Sequence, residues 1–156
     1  MKNLLLIICI ALIFSCNDNS KVNKEEENTL KTENEVATLK GAWKLVSYIN
    51  YGENGKVDTI LSSSTNKQIK MYSHTKVMWS RTRISDSIDW FGYGEYTIKD
   101  GLLTEVLDYG SKSMNEVIKE RTEFVFNVNI GENEFTQIEI DSLGLPIFAE
   151  NYIRLE

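Results

Sequence analysis

The chain has 156 residues, 26% charged and 42% hydrophobic, which suits one ordinary domain and excludes a wholly disordered chain. Its net charge of -6, with no basic stripe, excludes nucleic acid as an expected partner, because clustered Lys and Arg are needed to release counterions from a phosphate backbone. A single proline and nine glycines among many Thr, Tyr, Val, Ile and Phe point to strands.

The first element is a leader. "MKNLLLIICIALIFSC" sets Lys2 before an apolar run from Leu4 to Phe14 and a small residue, Ser15, before Cys16. That run is about 11 residues long, against the roughly 20 needed to span a bilayer, so it predicts a signal peptide over 1–15. "IFSC" resembles the lipobox of bacterial lipoproteins, with Ile13 and Phe14 in place of the commonest leucine-then-small pattern. The resemblance implies cleavage before Cys16, acylation of its sulfur and a protein anchored to a membrane of the cell envelope. Acyl chains hold such an anchor because each buried methylene contributes about 0.8 kcal/mol. Removing 1–15 removes Lys2, leaving 16 basic and 23 acidic residues, a balance of -7. Cys9 leaves with the leader, so no disulfide or cysteine-based metal site is expected.

Next comes "NDNSKVNKEEENTLKTENEVAT", rich in Asn, Glu, Lys and Thr, with too little apolar surface to fold. We expect 16–38 to be a lipidated N-terminus and disordered tether, and 39–156 to be the folded domain. There, short β-rich runs predict about eight strands, over 43–51, 67–72, 75–83, 92–99, 102–109, 121–130, 134–140 and 151–155. Asp100-Gly101 is a two-residue hairpin signal, Gly131 marks a second hairpin and "DSLGLP" a further turn, which together imply an antiparallel meander. "SMNEVIKE" sets Ser113 and Glu116 at capping-box spacing yet contains β-branched Val117 and Ile118, so 113–120 reads as a short helix or as strand.

Closing about eight strands into a barrel removes both sheet edges and buries one face. On the first strand Trp43, Leu45 and Ile49 share the face expected inside, with Lys44, Val46 and Tyr48 on the other. "GAW", Gly41 to Trp43, resembles the Gly-x-Trp signature of the lipocalins and their calycin relatives, and "GYGEYTIKDGLLTEVLDYGS" is similar to the lipocalin-like domains of bacterial lipoproteins. The resemblance covers roughly 39–156 and implies an all-β, up-and-down antiparallel barrel. In it Trp43 plugs the closed end and Arg154, in the last strand, stacks across the indole, a contact of about 0.5 to 2 kcal/mol.

For chemistry, "VMWSRTRIS" puts Val77, Trp79, Arg81 and Arg83 on one face and Met78, Ser80 and Thr82 on the other. With the first face inward, the barrel holds a Trp and two guanidiniums, a natural carboxylate anchor of the kind fatty-acid-binding relatives of the lipocalins use. With the second inward, the arginines face water. Tyr96 and Tyr152 are further candidates for the same cavity. His74, the sole histidine, sits by a turn, and no nucleophile elbow, HExxH helix, phosphate loop or EF-hand spacing occurs, so neither enzyme activity, metal nor cofactor is expected. Glu95 and Glu105, on strands joined by a hairpin, read as exposed strand carboxylates. The expected function is binding of a small, partly apolar and possibly carboxylate-bearing ligand. The alternative is a cell-envelope protein-protein interaction module whose barrel is filled by side chains.

Overall fold

A computed structural model describes residues 38–52, 54–84 and 87–156. The leader, the Cys16 acceptor and the tether up to residue 37 lie outside the described residues. The chain forms β1 (Gly41–Tyr51), β2 (Val57–Leu61), β3 (Asn66–Tyr72), β4 (Lys76–Arg83), β5 (Ile88–Lys99) and β6 (Leu102–Gly110). After these come α1 (Lys112–Glu120), β7 (Glu123–Ile130), β8 (Glu134–Ile140) and β9 (Pro146–Arg154).

All pairings are antiparallel, in the order β2-β1-β3-β4-β5-β6-β7-β8-β9, and β1 also pairs with β9. Eight strands therefore close into the expected up-and-down barrel, and β2 is an extra strand. It lies along the second half of β1, from Ser47 to Tyr51, whereas β3 takes the first half, from Gly41 to Lys44. Every residue of β2 is exposed, which explains why no buried-face pattern announced it.

Local chemistry sets the joints. Asp100 (φ 53°) and Gly101 (φ 77°) both occupy the left-handed region that a two-residue hairpin of this hand requires. Residues 112–120 are helix: Ser111, not Ser113, is the cap, its side chain accepting from the Met114 amide at 3.3 Å, while the Asn115 side chain accepts from the Gly110 amide at 2.7 Å. The last strand starts at Pro146 rather than 151. Proline fits there because it is the terminal residue of the ladder.

A bulge changes the reading of β1. Its register with β9 shifts between Leu45 and Ser47. Ser47 then turns outward, taking a hydrogen bond from Asn151 at 3.0 Å. Beyond the bulge Tyr48, not Ile49, joins the inner face, its ring stacked on Phe148 at 5.2 Å. One extra residue in a strand reverses the alternation beyond it.

The registers place the turns after β3, β5 and β7 at the end where β1 begins and β9 finishes, and α1 at the opposite end. The buried apolar core fills the first end: Leu39, Trp43 and Val77 are fully buried, and Phe135 stacks on Tyr152 at 4.5 Å. α1 packs against β5 and β6 at the other end and buries Met114.

Candidate functional site

The end capped by α1 contains a cavity of about 340 Å³. Its walls carry the rings of Trp79, Trp90, Phe124, Phe126 and Phe148, and Met114, Val117 and Arg121 from the α1 region close one side. β4 presents the Val77 face inward: Val77 is fully buried, Met78 is exposed, and Trp79, Arg81 and Arg83 line the cavity.

Beneath the cavity lies a layer of buried polar side chains. The Lys70 ammonium donates to Glu105 at 2.8 Å and to Gln137 at 2.9 Å, and the Tyr72 hydroxyl donates to the same Glu105 oxygen at 2.6 Å. Gln137 in turn donates to Glu150 at 2.9 Å, and the Tyr152 hydroxyl donates to that Glu150 oxygen at 2.7 Å. With its one proton committed to Glu150, the Tyr152 oxygen accepts from the Gln68 amide at 2.7 Å. Gln68, Lys70, Glu105, Gln137 and Glu150 are each at least nine-tenths buried. Such groups persist in an interior only when hydrogen bonds replace lost hydration.

Burial pushes the phenols of Tyr72 and Tyr152 well above their ordinary range, and the neighbouring charges of Glu105 and Glu150 push the same way. Both rings are thus held neutral as donors.

Arg81 differs from the other cations on the cavity wall. Lys70 is paired with Glu105, and Arg121 bonds Glu139 at 2.7 Å. Among the described residues Arg81 has no hydrogen bond or ion pair; its Nε is buried without a partner and its guanidinium lies 5.2 Å from the Tyr48 ring centre. Each carboxylate of the lining already accepts a hydrogen bond: Glu105 from Lys70 and Tyr72, Glu139 from Arg121, and Glu150 from Gln137 and Tyr152.

At the closed end Trp43 and Arg154 face one another across β1 and β9, in register, with the guanidinium 4.0 Å from the ring centre. Three nitrogens of Arg154 donate to the carbonyls of Glu132, Lys40 and Thr38, at 2.6, 2.6 and 2.7 Å. The indole donates to the Leu39 carbonyl at 2.7 Å, and Phe135 meets its face edge-on. Gly41 has φ +122°, and a Cβ there would lie 2.2 Å from the Glu156 carbonyl, so the residue before this joint has to be glycine.

The fold is lipocalin-like. Among solved structures similar to this chain are a lipocalin-like protein from Bacteroides uniformis, 14% identical with a TM-score of 0.49 over 75% of this chain and 98% of that one, and an uncharacterized protein from Bacteroides eggerthii, 16% identical with a TM-score of 0.48 over 75% and 99%. A redesigned β-barrel is 17% identical with a TM-score of 0.44, over 76% and 92%. No family model matches the sequence, and no curated protein matches it significantly.

Of the residues singled out from the sequence, Trp79, Arg81 and Arg83 come together on the cavity wall, whereas Tyr96 and Tyr152 do not. Tyr96 bonds the Ser73 carbonyl and packs on Tyr72 toward the closed end, and Tyr152 is sealed within the polar layer. Both lie too deep to meet a ligand in the cavity. Glu95 is exposed and paired with Lys76, but Glu105 is buried, because the register sets Glu95 opposite Val106 and Tyr96 opposite Glu105. His74 lies exposed in the turn after β3. Among the described residues no group of three His, Cys, Asp or Glu could hold a metal, and no helix is long and apolar enough to cross a membrane.

Sequence reasoning missed Gln68, Lys70, Gln137 and Glu150. In "NKQIKMY" the pattern favours Ile69 and Met71 inside, yet Gln68, Lys70 and Tyr72 are the buried set. The signal that could have found them is the alternation Gln-x-Lys-x-Tyr, matched by Phe-x-Gln-x-Glu on β8 and Phe-x-Glu-x-Tyr on β9.

Two predictions follow from these ends of the barrel. Arg154→Ala should lower unfolding free energy by about 2 to 4 kcal/mol in urea titrations, and Arg154→Lys should recover less than half, since an ammonium can neither cover the indole nor reach three carbonyls; a lysine variant as stable as the parent contradicts the clamp. The second concerns alkali. An unfolded tyrosine releases its proton near pH 10. The folded state holds the protons of Tyr72 and Tyr152 to higher pH, so their contribution is complete below about pH 10 and declines as pH rises toward the folded values. The decline due to these two groups reaches at most about 2.7 kcal/mol per pH unit. Urea midpoints measured from pH 8 to 11 should fall less steeply in Tyr72→Phe/Tyr152→Phe; parallel curves refute this.

Proposed function

We propose that the protein binds a small, partly apolar anion in the open half of its barrel, with the ligand's carboxylate on Arg81, and that acylated Cys16 anchors it to a membrane of the cell envelope. The observation that carries the binding reading is a guanidinium with no ionic partner on the wall of an aromatic-lined cavity. Arg81 is half-buried with no ion pair, and a carboxylate in the cavity would give its guanidinium two parallel charge-assisted hydrogen bonds. The volume of about 340 Å³ falls at the small end of ligand sites and equals roughly eleven water-sized volumes, enough for a compact molecule. An interaction module with a side-chain-filled barrel accounts for the closed half only.

The anchor reading is supported by the leader and by "IFSC". Thr38 and Leu39 lie at the closed end of the barrel, opposite the cavity.

Isothermal titration with octanoate checks the first reading. The parent should bind, and Arg81→Gln should weaken binding by about tenfold or more; equal affinities in parent and variant refute it. For the anchor, Cys16→Ser should move the protein from the membrane fraction to the soluble one. Unchanged retention contradicts acylation.

A further inference from the structure

The wall beside Arg81 carries more information than its charge. A Cβ built on Gly92 would lie 2.9 Å from Cε2, Cζ2 and Nε1 of Trp79 alike. Those three atoms are bonded neighbours at an obtuse angle, and no point in the ring plane lies that far from all three equally. The Cβ position therefore lies out of the indole plane, beside its Nε1–Cζ2 edge. Gly92 and Trp79 are direct cross-strand partners, so the missing side chain of β5 makes room for the indole of β4. Trp79 lines the cavity.

Arg81 follows two residues later on the same face of β4, about 6.6 Å along the strand. An indole seated against a glycine thus lies one ring's reach from a guanidinium without an ion pair. The deep boundary of the cavity is polar, formed by Gln68, Lys70, Glu105, Gln137 and Glu150, so an extended alkyl chain gains little apolar contact at its far end. A planar ring uses the walls, which are aromatic, and leaves the floor to its polar edge.

We propose that the ligand is a planar aromatic or heteroaromatic acid, its ring stacked on the Trp79 indole that Gly92 seats and its carboxylate on Arg81. This rests on the reading of Arg81 as the anion anchor and adds the class of molecule that follows from the platform. Trp79 is then a ligand contact, and Gly92 is a positioning residue that acts through it. Offset stacking favours an aromatic ring over an alkyl chain of similar size by about fivefold in affinity.

The test compares phenylacetate with octanoate, which have equal numbers of non-hydrogen atoms, by calorimetry on the chain beginning at Asn17. The parent should bind phenylacetate about fivefold or more tightly than octanoate. Trp79→Leu and Gly92→Ala should each weaken phenylacetate binding and so remove that preference, with circular dichroism spectra matching the parent's to show that the variants are folded. Arg81→Gln should weaken both acids. Octanoate bound as tightly as phenylacetate, with the Arg81 dependence intact, overturns the aromatic inference and leaves the anion site standing. A preference that survives both platform variants also overturns it. Indifference of both acids to Arg81 overturns the binding reading itself.

Discussion

A meander of antiparallel strands acquires an inside only when its first strand pairs with its last, and here β1 meets β9 from Trp43–Arg154 to Asn50–Phe148. The pairing is locked at one end by a guanidinium that covers the Trp43 indole and donates to three carbonyls, two of them in the segment leading into β1. Gly41 is the geometric condition for it, since any side chain there would strike the last residue of the chain. Everything described inside the barrel depends on that closure: without it the inward faces of eight strands would be one exposed surface.

Closure leaves a volume that the sequence fills unevenly. The end near Trp43 is packed with aromatic and aliphatic side chains, and the middle is crossed by the layer running from Lys70 through Glu105, Gln137 and Glu150 to Gln68. Burying an ion pair is weak evidence for stability, since well-packed hydrophobic residues serve as well or better, whereas removing one partner costs about 3 to 5 kcal/mol. The layer's structural effect is a boundary. Below it the barrel is solid, and above it the same strands diverge around a cavity whose walls are rings and whose one cation without a hydrogen bond or ion pair, among the described residues, is Arg81. A shallow site with aromatic sides and a polar base is the ground for proposing a compact, planar, charged ligand in place of a long chain.

The barrel was legible because it rests on local rules. Strand-forming residues between turn signals predicted most of the ladder, Asp100-Gly101 fixed a hairpin by its positive φ, and the pairing of Trp43 with Arg154 came from the likeness of "GAW" and "NYIRLE" to lipocalin ends. β2 was illegible because it buries nothing, and the inward turn of Tyr48 because a bulge leaves no mark in composition. The site was legible only in part. Trp79, Arg81 and Arg83 share a face by alternation alone, but which face turns inward is a property of the closed sheet. The polar layer was hidden for a deeper reason: hydrophobic patterning assigns Ile69, Met71 and Val106 to the interior, and here mutual hydrogen bonding among Gln, Lys, Glu and Tyr overrides it. Such a network is invisible until β3, β6, β8 and β9 face one another across the closed barrel.

The central claim is that Arg81 is the group on which the ligand's carboxylate lands. Its Nε–H, buried and without a partner, reports on this directly in a nitrogen–proton correlation spectrum, assigned by its loss in Arg81→Lys. On saturation with phenylacetate the account predicts a downfield shift of that one side-chain resonance, while the Nε–H of Arg154, already bonded to Glu132, stays in place. An Arg81 signal unmoved at saturation would contradict it.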